Sequence, residues 1–226
     1  MLRIPPDSLA QMIDVSILQT DNTASDLHFL IETAKKYRFI CAFSLPCYLP
    51  ELVSALHPHG LHVGAPIGFP TGAELSGVKA FQARTLYEVG CDEFDMVMNV
   101  GFLKSGRFAE VAADIKAVRD EIHGKLLKVI VESMLLTDSE LADACRIVAD
   151  SGADYVKTGS GWAGKPTEMK HVDIMAKTVG GKIKIKAAGG IRDYETVCRM
   201  HELGVTRFGV GVKSGIALME QANSGK

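Results

Sequence analysis

The sequence predicts an α/β fold, a single-domain TIM (β/α)8 barrel over residues 1–226. Three observations carry that expectation. Short apolar strand-like runs alternate with helical patterns eight times, with no linker or composition break. Three helices end in near-identical phrases, Val89-Gly90-Cys91-Asp92, Ser151-Gly152-Ala153-Asp154 and Leu203-Gly204-Val205-Thr206, each a glycine C-cap that drops into the next strand. Several strands also carry charge on one face only. Strict alternation implies a parallel sheet, and eight units are the number that closes a barrel. An open doubly wound sheet is the competing architecture, but no G-x-G-x-x-G follows the first strand.

The elements follow in order. Residues 11–17 read as the first strand. Thr23-Ala24-Ser25-Asp26 then opens a helix to about Tyr37, with Leu27, Leu30, Ile31 and Ala34 at helical spacing. Residues 39–45 form the second strand. Pro46 and Pro50 bracket the turn into a short helix, 51–56, which Gly60 ends. The third strand is 61–67, followed by the loop Gly68-Phe69-Pro70-Thr71-Gly72 and a helix over about 75–89. The fourth strand is 92–98, and its helix runs over 106–123 to Gly124. The fifth strand is 126–132, after which Thr137-Asp138-Ser139-Glu140 caps a helix to Ser151. The sixth strand is 155–157, with a helix over 167–179. The seventh is 183–187, and Asp193 caps a helix to Leu203. The eighth is 207–210, and a final helix starts near Ser214.

Side chains alternate along a strand, so each strand sorts its residues onto two faces. Asp14 and Ser16 oppose Ile13 and Val15. Glu93 and Asp95 oppose Phe94 and Met96. Lys128 and Glu132 oppose Val129 and Val131. Lys182, Lys184 and Lys186 oppose Ile183 and Ile185, and Tyr155 shares a face with Lys157. The apolar faces must meet the helices, so the polar faces point into the barrel. The expected interior holds Asp14, Glu93, Asp95 and Glu132 against Lys128, Lys157, Lys184 and Lys186. Buried charges must pair or shift their pKa values. Lys128, Lys182, Lys184 and Glu93 read as structural ion pairs of the bottom layer or rim.

Lys157 and Lys186 stand apart. Each ends a short apolar run, and glycines follow at once: Lys157-Thr158-Gly159-Ser160-Gly161 and Lys186-Ala187-Ala188-Gly189-Gly190. An amine with its ordinary pKa of about 10.4 is protonated at neutral pH and does not attack carbonyls. Desolvation or a second cation lowers that pKa. One lysine can then be the nucleophile that forms a Schiff base, and the other its electrostatic perturber; the residues alone do not say which is which. Asp95, expected at the C-terminal end of strand four, is the best placed carboxylate to shuttle protons. All three fall on the C-terminal face, where such barrels carry their active sites. Glycines on the loops after strands six, seven and eight, with Arg192 near, suit a phosphate cradle. Ser16 shares the inward face of strand one and joins the expected substrate-binding set.

With a net charge of −2, nothing argues for nucleic acid or an anionic membrane as partner. No apolar stretch reaches the roughly 18 residues of a membrane span. Residues 1–10 show no charged start followed by an apolar run, which reads as no secretory signal. Five scattered cysteines without ligand spacing imply reduced thiols and a cytoplasmic protein. The seven histidines show no metal-ligand spacing. Trp162 reads as a loop or interface aromatic, with a place in the substrate pocket as the alternative, and Cys47 as a buried thiol at the end of strand two, with the pocket as its alternative.

The chain resembles the deoxyribose-phosphate aldolases. The likeness rests on Val156-Lys157-Thr158-Gly159-Ser160-Gly161-Trp162, on Lys184-Ile185-Lys186-Ala187-Ala188-Gly189-Gly190-Ile191-Arg192, and on 92–101, 67–73 and 128–133. It implies a class I, metal-independent aldolase that reversibly cleaves 2-deoxy-D-ribose 5-phosphate to D-glyceraldehyde 3-phosphate and acetaldehyde. It also implies a homo-oligomer, dimer or tetramer. By motif position, Lys157 would be the Schiff-base lysine, Lys186 its perturber and Asp95 the general acid/base with a water. Gly161, Gly189, Gly190 and Gly209 would line the phosphate site, and no cofactor is implied. Three strings depart from the family pattern. Asp14-Val15-Ser16-Ile17-Leu18-Gln19 lacks the usual histidine and lysine. Thr158-Gly159-Ser160-Gly161-Trp162 replaces a T-S-T-G-F string. Gly209-Val210-Gly211-Val212-Lys213-Ser214 lacks the usual hydroxyls. The expected chemical centre is therefore intact and the substrate rim altered, with Lys213 and Ser214 able to compensate from a longer loop. A related Schiff-base lyase acting on another sugar or aldehyde, and a non-catalytic sugar-phosphate binder, are the alternatives.

Overall fold

The computed structural model describes residues 3–224, so residues 1–2 and 225–226 of the expected domain lie outside the described residues. Eight strands run β1 (Ile13–Ile17), β2 (Cys41–Ser44), β3 (His62–Ile67), β4 (Glu93–Val97), β5 (Leu126–Ile130), β6 (Tyr155–Lys157), β7 (Lys184–Ala188) and β8 (Val205–Gly211). They pair in sequence order, and β8 returns to β1, closing an all-parallel barrel. Among the described residues ten α-helices accompany them: α1 (Pro6–Ala10), α2 (Ala24–Tyr37), α3 (Leu49–Leu56), α4 (Ser76–Val89), α5 (Val100–Lys104), α6 (Phe108–Arg119), α7 (Asp138–Asp150), α8 (Met169–Val179), α9 (Tyr194–Glu202) and α10 (Val212–Ser224). This is the expected (β/α)8 architecture.

Local chemistry explains the boundaries. Thr23 and Thr137 each form a capping box with the acidic residue three positions on, satisfying backbone N–H groups that a helix start leaves free. The Asp193 carboxylate accepts the Thr196 N–H. Gly90 ends α4 at φ 104°, a left-handed turn that costs other residues a Cβ clash. Ile13, Val15, Phe94, Met96, Val129 and Ile185 are buried beneath the helices, as the two-face sorting requires.

The clearest departures from the expectations are five. α1, with Pro6 at its first position, was not anticipated. The expected helix over 106–123 is shorter, and a separate α5, capped by the Asn99 side chain, precedes it. α8 begins at Met169 rather than Thr167. Strand eight starts earlier, at Val205, and runs to Gly211. Finally, α10 begins at Val212, directly off β8, so no longer loop carries Lys213 and Ser214; both lie in its first turn.

One irregularity bears on the site. β7 and β8 pair Ile185 with Val205 and then Lys186 with Arg207, so Thr206 is an extra residue on β8. The bulge brings Arg207, not Thr206, into step with Lys186. A one-residue slip exchanges the faces of a strand.

Candidate active site

Lys157 ends β6, and Lys186 lies opposite it in the register of β7. Both amines donate to the same carboxylate oxygen, Asp95 Oδ2, at 2.7 and 2.6 Å. Asp95 is mid-strand in β4, opposite Lys128, rather than at the strand's C-terminal end as expected. It therefore reaches up from a lower layer of the barrel. Its other oxygen, Oδ1, accepts from Lys128 at 3.1 Å. Lys128 also meets Glu93 Oε2 at 2.5 Å. Below, Arg207 contacts Asp14 and donates to Glu93 at 2.7 Å, and Lys186 lies 2.5 Å from Asp14 Oδ2. The interior is thus one continuous network of salt bridges, buried throughout.

Its composition has an electrostatic consequence. Three carboxylates (Asp14, Glu93 and Asp95) face four bases (Lys128, Lys157, Lys186 and Arg207). If all ionised, one positive charge would be in excess, which a dry interior disfavours. The deprotonation falls on Lys157. Burial pushes its amine down, and Lys186 and Lys128 push in the same direction. Asp95 opposes them, and the outcome is a pKa of about 8. Burial, rather than the neighbouring cation alone, is the larger cause. Burial works against the charge of Asp95, but Lys128, Lys157 and Lys186 hold it well below the usual carboxylate range. Lys128 is buried too, yet Asp95, Asp14 and Glu93 raise it above the ordinary lysine value. An amine that loses its proton near pH 8 and a fixed carboxylate thus share the upper layer.

Above the network lies a cavity of about 440 Å³. Asp95, Lys157 and Lys186 form its base, and Ser16, Gly161, Gly189, Gly190 and Gly209 line its wall. Gly189 and Gly190 have φ 97° and 81°, where a side chain would be strained. Gly209 is needed for a different reason: a Cβ there would come within 2.9 Å of Ala188 Cβ and 3.1 Å of Lys186 Cε. The Ser16 hydroxyl donates to the Val210 carbonyl at 3.2 Å while facing the cavity. Arg192, Lys213 and Ser214 add polar groups at the same end.

Several expectations need correction. Lys184 is not interior; it begins β7, is exposed, and lies 5.6 Å from the Tyr155 ring centre. Lys182, by contrast, pairs with Asp150 at the exposed surface, in line with its reading as a rim ion pair. Glu132 follows β5 in a left-handed conformation, φ 51°, and its carboxylate accepts the Ser160 N–H rather than facing the lysines. Lys128 is more than a rim ion pair, because it touches Asp95. Trp162 lines the cavity, whereas Cys47 is exposed and does not.

Three contributors escaped the sequence reading. Arg207 shares the inward face of β8 with Gly209, which pairs with Asp14. Phe43 places its ring 4.4 Å from Lys186 Nζ and 5.0 Å from Lys128 Nζ, a cation–π floor within the barrel. Gly64 leaves the space for that ring, since a Cβ there would fall 2.1 Å from Phe43 Cζ. A glycine inside a strand signals a close approach, but not of which group.

Among the described residues, Asp14, Cys41 and Glu93 bring potential metal ligands within 4.8 Å of one another. The set does not suit a cation. Arg207, Lys128 and Lys186 already neutralise its carboxylates, and burial lifts the Cys41 thiol well above its usual range.

Comparison with known proteins points the same way as the geometry. A family model described as DeoC/LacD family aldolase matches residues 53–219. The deoxyribose-phosphate aldolase of Sinorhizobium medicae is 43% identical over 219 residues, covering 96% of this chain and 88% of the relative. That of Mannheimia succiniciproducens is 41% identical, covering 97% and 98%. A solved structure of a putative deoxyribose-phosphate aldolase from Coccidioides immitis superposes with TM-score 0.94 at 31% identity, over 99% of this chain and 88% of that one. A deoxyribose phosphate aldolase from Aeropyrum pernix, described as a unique tetramer, gives TM-score 0.86 at 29% identity, over 97% and 92%.

Proposed function

The chain belongs to the DeoC/LacD family of aldolases, and on that premise we propose a class I deoxyribose-phosphate aldolase, a lyase reversibly cleaving 2-deoxy-D-ribose 5-phosphate to D-glyceraldehyde 3-phosphate and acetaldehyde. The observation that carries this reading is the convergence of Lys157 and Lys186 on one oxygen of Asp95, with the Lys157 pKa near 8.

Neutral Lys157 adds to the aldehyde carbon of the open-chain sugar, and loss of water with uptake of one proton, given back when the imine is hydrolysed, leaves a protonated imine. The imine is the electron sink, so this reading assigns the chemistry to no metal or cofactor. Electrons of the C2–C3 bond flow into the imine while the C3 hydroxyl gives its proton, through a water, to Asp95. Glyceraldehyde 3-phosphate departs. Asp95 starts ionised and is a weak base, which favours prompt return of that proton to C2 of the enamine. Addition of water then frees Lys157 and releases acetaldehyde, so the water lost and the water consumed cancel. The neighbouring Lys186 lowers the affinity of the Lys157 amine for a proton. Gly161, Gly189, Gly190 and Gly209, with Ser16, would hold the phosphate end.

Borohydride reduction in the presence of acetaldehyde tests this directly. Mass spectrometry is expected to find the two-carbon adduct on Lys157. An adduct elsewhere, or full retro-aldol activity in Lys157→Ala, would overturn the assignment.

A second reading is favoured by the rim where β8 passes into α10. Val210, Gly211 and Val212 line the cavity where the family pattern has hydroxyls. The same chemistry would then serve a sugar or aldehyde with weaker or no phosphate dependence. Comparing phosphorylated with unphosphorylated 2-deoxyribose decides it; a strong preference for the phosphate ester sinks this second reading.

We further infer a cytoplasmic, homo-oligomeric enzyme, dimer or tetramer, in deoxyribonucleotide and carbohydrate catabolism. Support comes from five unpaired cysteines, which suit a reducing compartment, and from the tetrameric Aeropyrum pernix protein. No helix among the described residues is long and apolar enough to cross a membrane. Light scattering reads the assembly state.

A further inference from the structure

Trp162 sits on the segment joining β6 to α8, yet its side chain reaches the far side of the barrel. The indole N–H donates to the Leu18 carbonyl at 3.2 Å, just beyond β1. The ring also meets Phe69 edge-on, beyond β3, with centroids 6.0 Å apart and planes at 84°. In a closed ring of eight, β6 is diametrically opposite β2, and β1 and β3 flank β2. The indole therefore spans the mouth above Lys157, and Trp162, Leu18, Phe69 and Lys157 line one cavity.

The near end is anchored as well. The Trp162 N–H donates to Ser160 Oγ at 3.0 Å, and the Ser160 N–H donates to the buried Glu132 carboxylate at 3.1 Å. A side chain with two rotatable bonds, held at both ends, is a rigid obstruction. Trp162 is 41% exposed, so these bonds are not explained by core packing.

We infer that Trp162 is a specificity-determining residue: a bar across the barrel mouth that limits the bulk of the aldehydes reaching Lys157. The inference rests on the aldolase reading of Lys157. Small unbranched aldehydes pass beneath the bar, and branched ones meet the indole. Its removal widens the mouth without touching the lysines or Asp95.

The test is borohydride trapping on Lys157, read by mass spectrometry, for acetaldehyde, propanal and 2-methylpropanal. Wild type, Trp162→Phe and Trp162→Ala are compared. A pocket discriminates one methylene by about 10- to 200-fold. The ratio of 2-methylpropanal to acetaldehyde trapping is therefore expected to rise by at least ~10-fold in Trp162→Ala. Trp162→Phe keeps the Phe69 contact but loses the Leu18 bond, and should fall between. An unchanged ratio, with acetaldehyde still trapped, overturns the inference and leaves the aldolase reading intact. No trapping of any aldehyde in wild type overturns the aldolase reading, and this inference with it. Trp162 is also the only tryptophan in the chain, so its fluorescence reports on the bar alone. Addition of 2-deoxyribose 5-phosphate should shift or quench the emission; an indole silent to a substrate that is turned over also overturns the inference.

Discussion

Lys157 and Lys186 face each other across β6 and β7, and both donate to Asp95 Oδ2, at 2.7 and 2.6 Å. Two ammonium groups this close repel strongly in a medium of low dielectric. A shared oxygen holds them together only while one amine gives up its proton readily. That arrangement defines a reactive amine more sharply than either lysine could alone.

Activity limited by neutral Lys157 should rise with pH through about 8. Lys186→Met removes a cation that disfavours protonated Lys157, so the Lys157 pKa rises. The acid limb of kcat/KM is expected to move to higher pH. A limb that stays in place or moves lower would show that Lys186 is not the perturber.

Asp95→Asn keeps the shape but removes the proton carrier and the counter-charge of three lysines. Positioned acid–base groups contribute about 10²- to 10⁴-fold, and kcat should fall within that range. Breaking a buried ion pair costs roughly 3–5 kcal/mol, which urea unfolding would register. Near-normal kcat would remove Asp95 from the mechanism.

Lys157→Met should separate activity from stability. Lys157 binds its proton less tightly folded than unfolded, so this group's contribution to stability rises as pH climbs from about 8 towards the ordinary lysine value. At pH 7 the protonated amine is a liability of roughly 3 kcal/mol. The inactive methionine variant should therefore be at least as stable as wild type. A clear drop in its melting temperature at pH 7 contradicts the charge account.

Arg207→Leu should make the protein acid-sensitive. Glu93 is buried, but Lys128, His62 and Arg207 hold it below the usual carboxylate range. Its stabilising contribution is present above the unfolded value of about 4.3 and fades as pH falls below it. Without Arg207 the Glu93 pKa rises, and acid unfolding, followed by circular dichroism, should begin at a higher pH than in wild type. An unchanged midpoint would mean that Arg207 does not set the carboxylate's charge.

The fold was legible because strand and helix periods differ, and because Gly90, Gly152 and Gly204 punctuate the alternation. Lys157, Lys186 and Asp95 were legible because a charge on a strand's polar face has nowhere to go but inward. The same rule misplaced Lys184 and Glu132. Lys184 opens its strand and escapes to solvent; Glu132 lies past its strand, where alternation no longer applies. Arg207 and Phe43 were illegible for other reasons. The expected strand opens on Arg207, so nothing before it marks its face, whereas β8 begins at Val205, and Phe43 needs the space left by Gly64 on the neighbouring strand. The short α5 hides in a segment whose main signal is a single Asn99 cap.

Past the extra residue at Thr206, β8 has two parts with separate tasks. The first delivers Arg207 to the charge network, and Gly209 closes that part by leaving room for Lys186. Beyond it, 210–214 form the rim of the cavity. Substitutions in the rim should combine additively with those in the floor, as distant sites generally do. Substrate preference can then diverge along one stretch of chain without disturbing the proton balance that keeps the amine reactive.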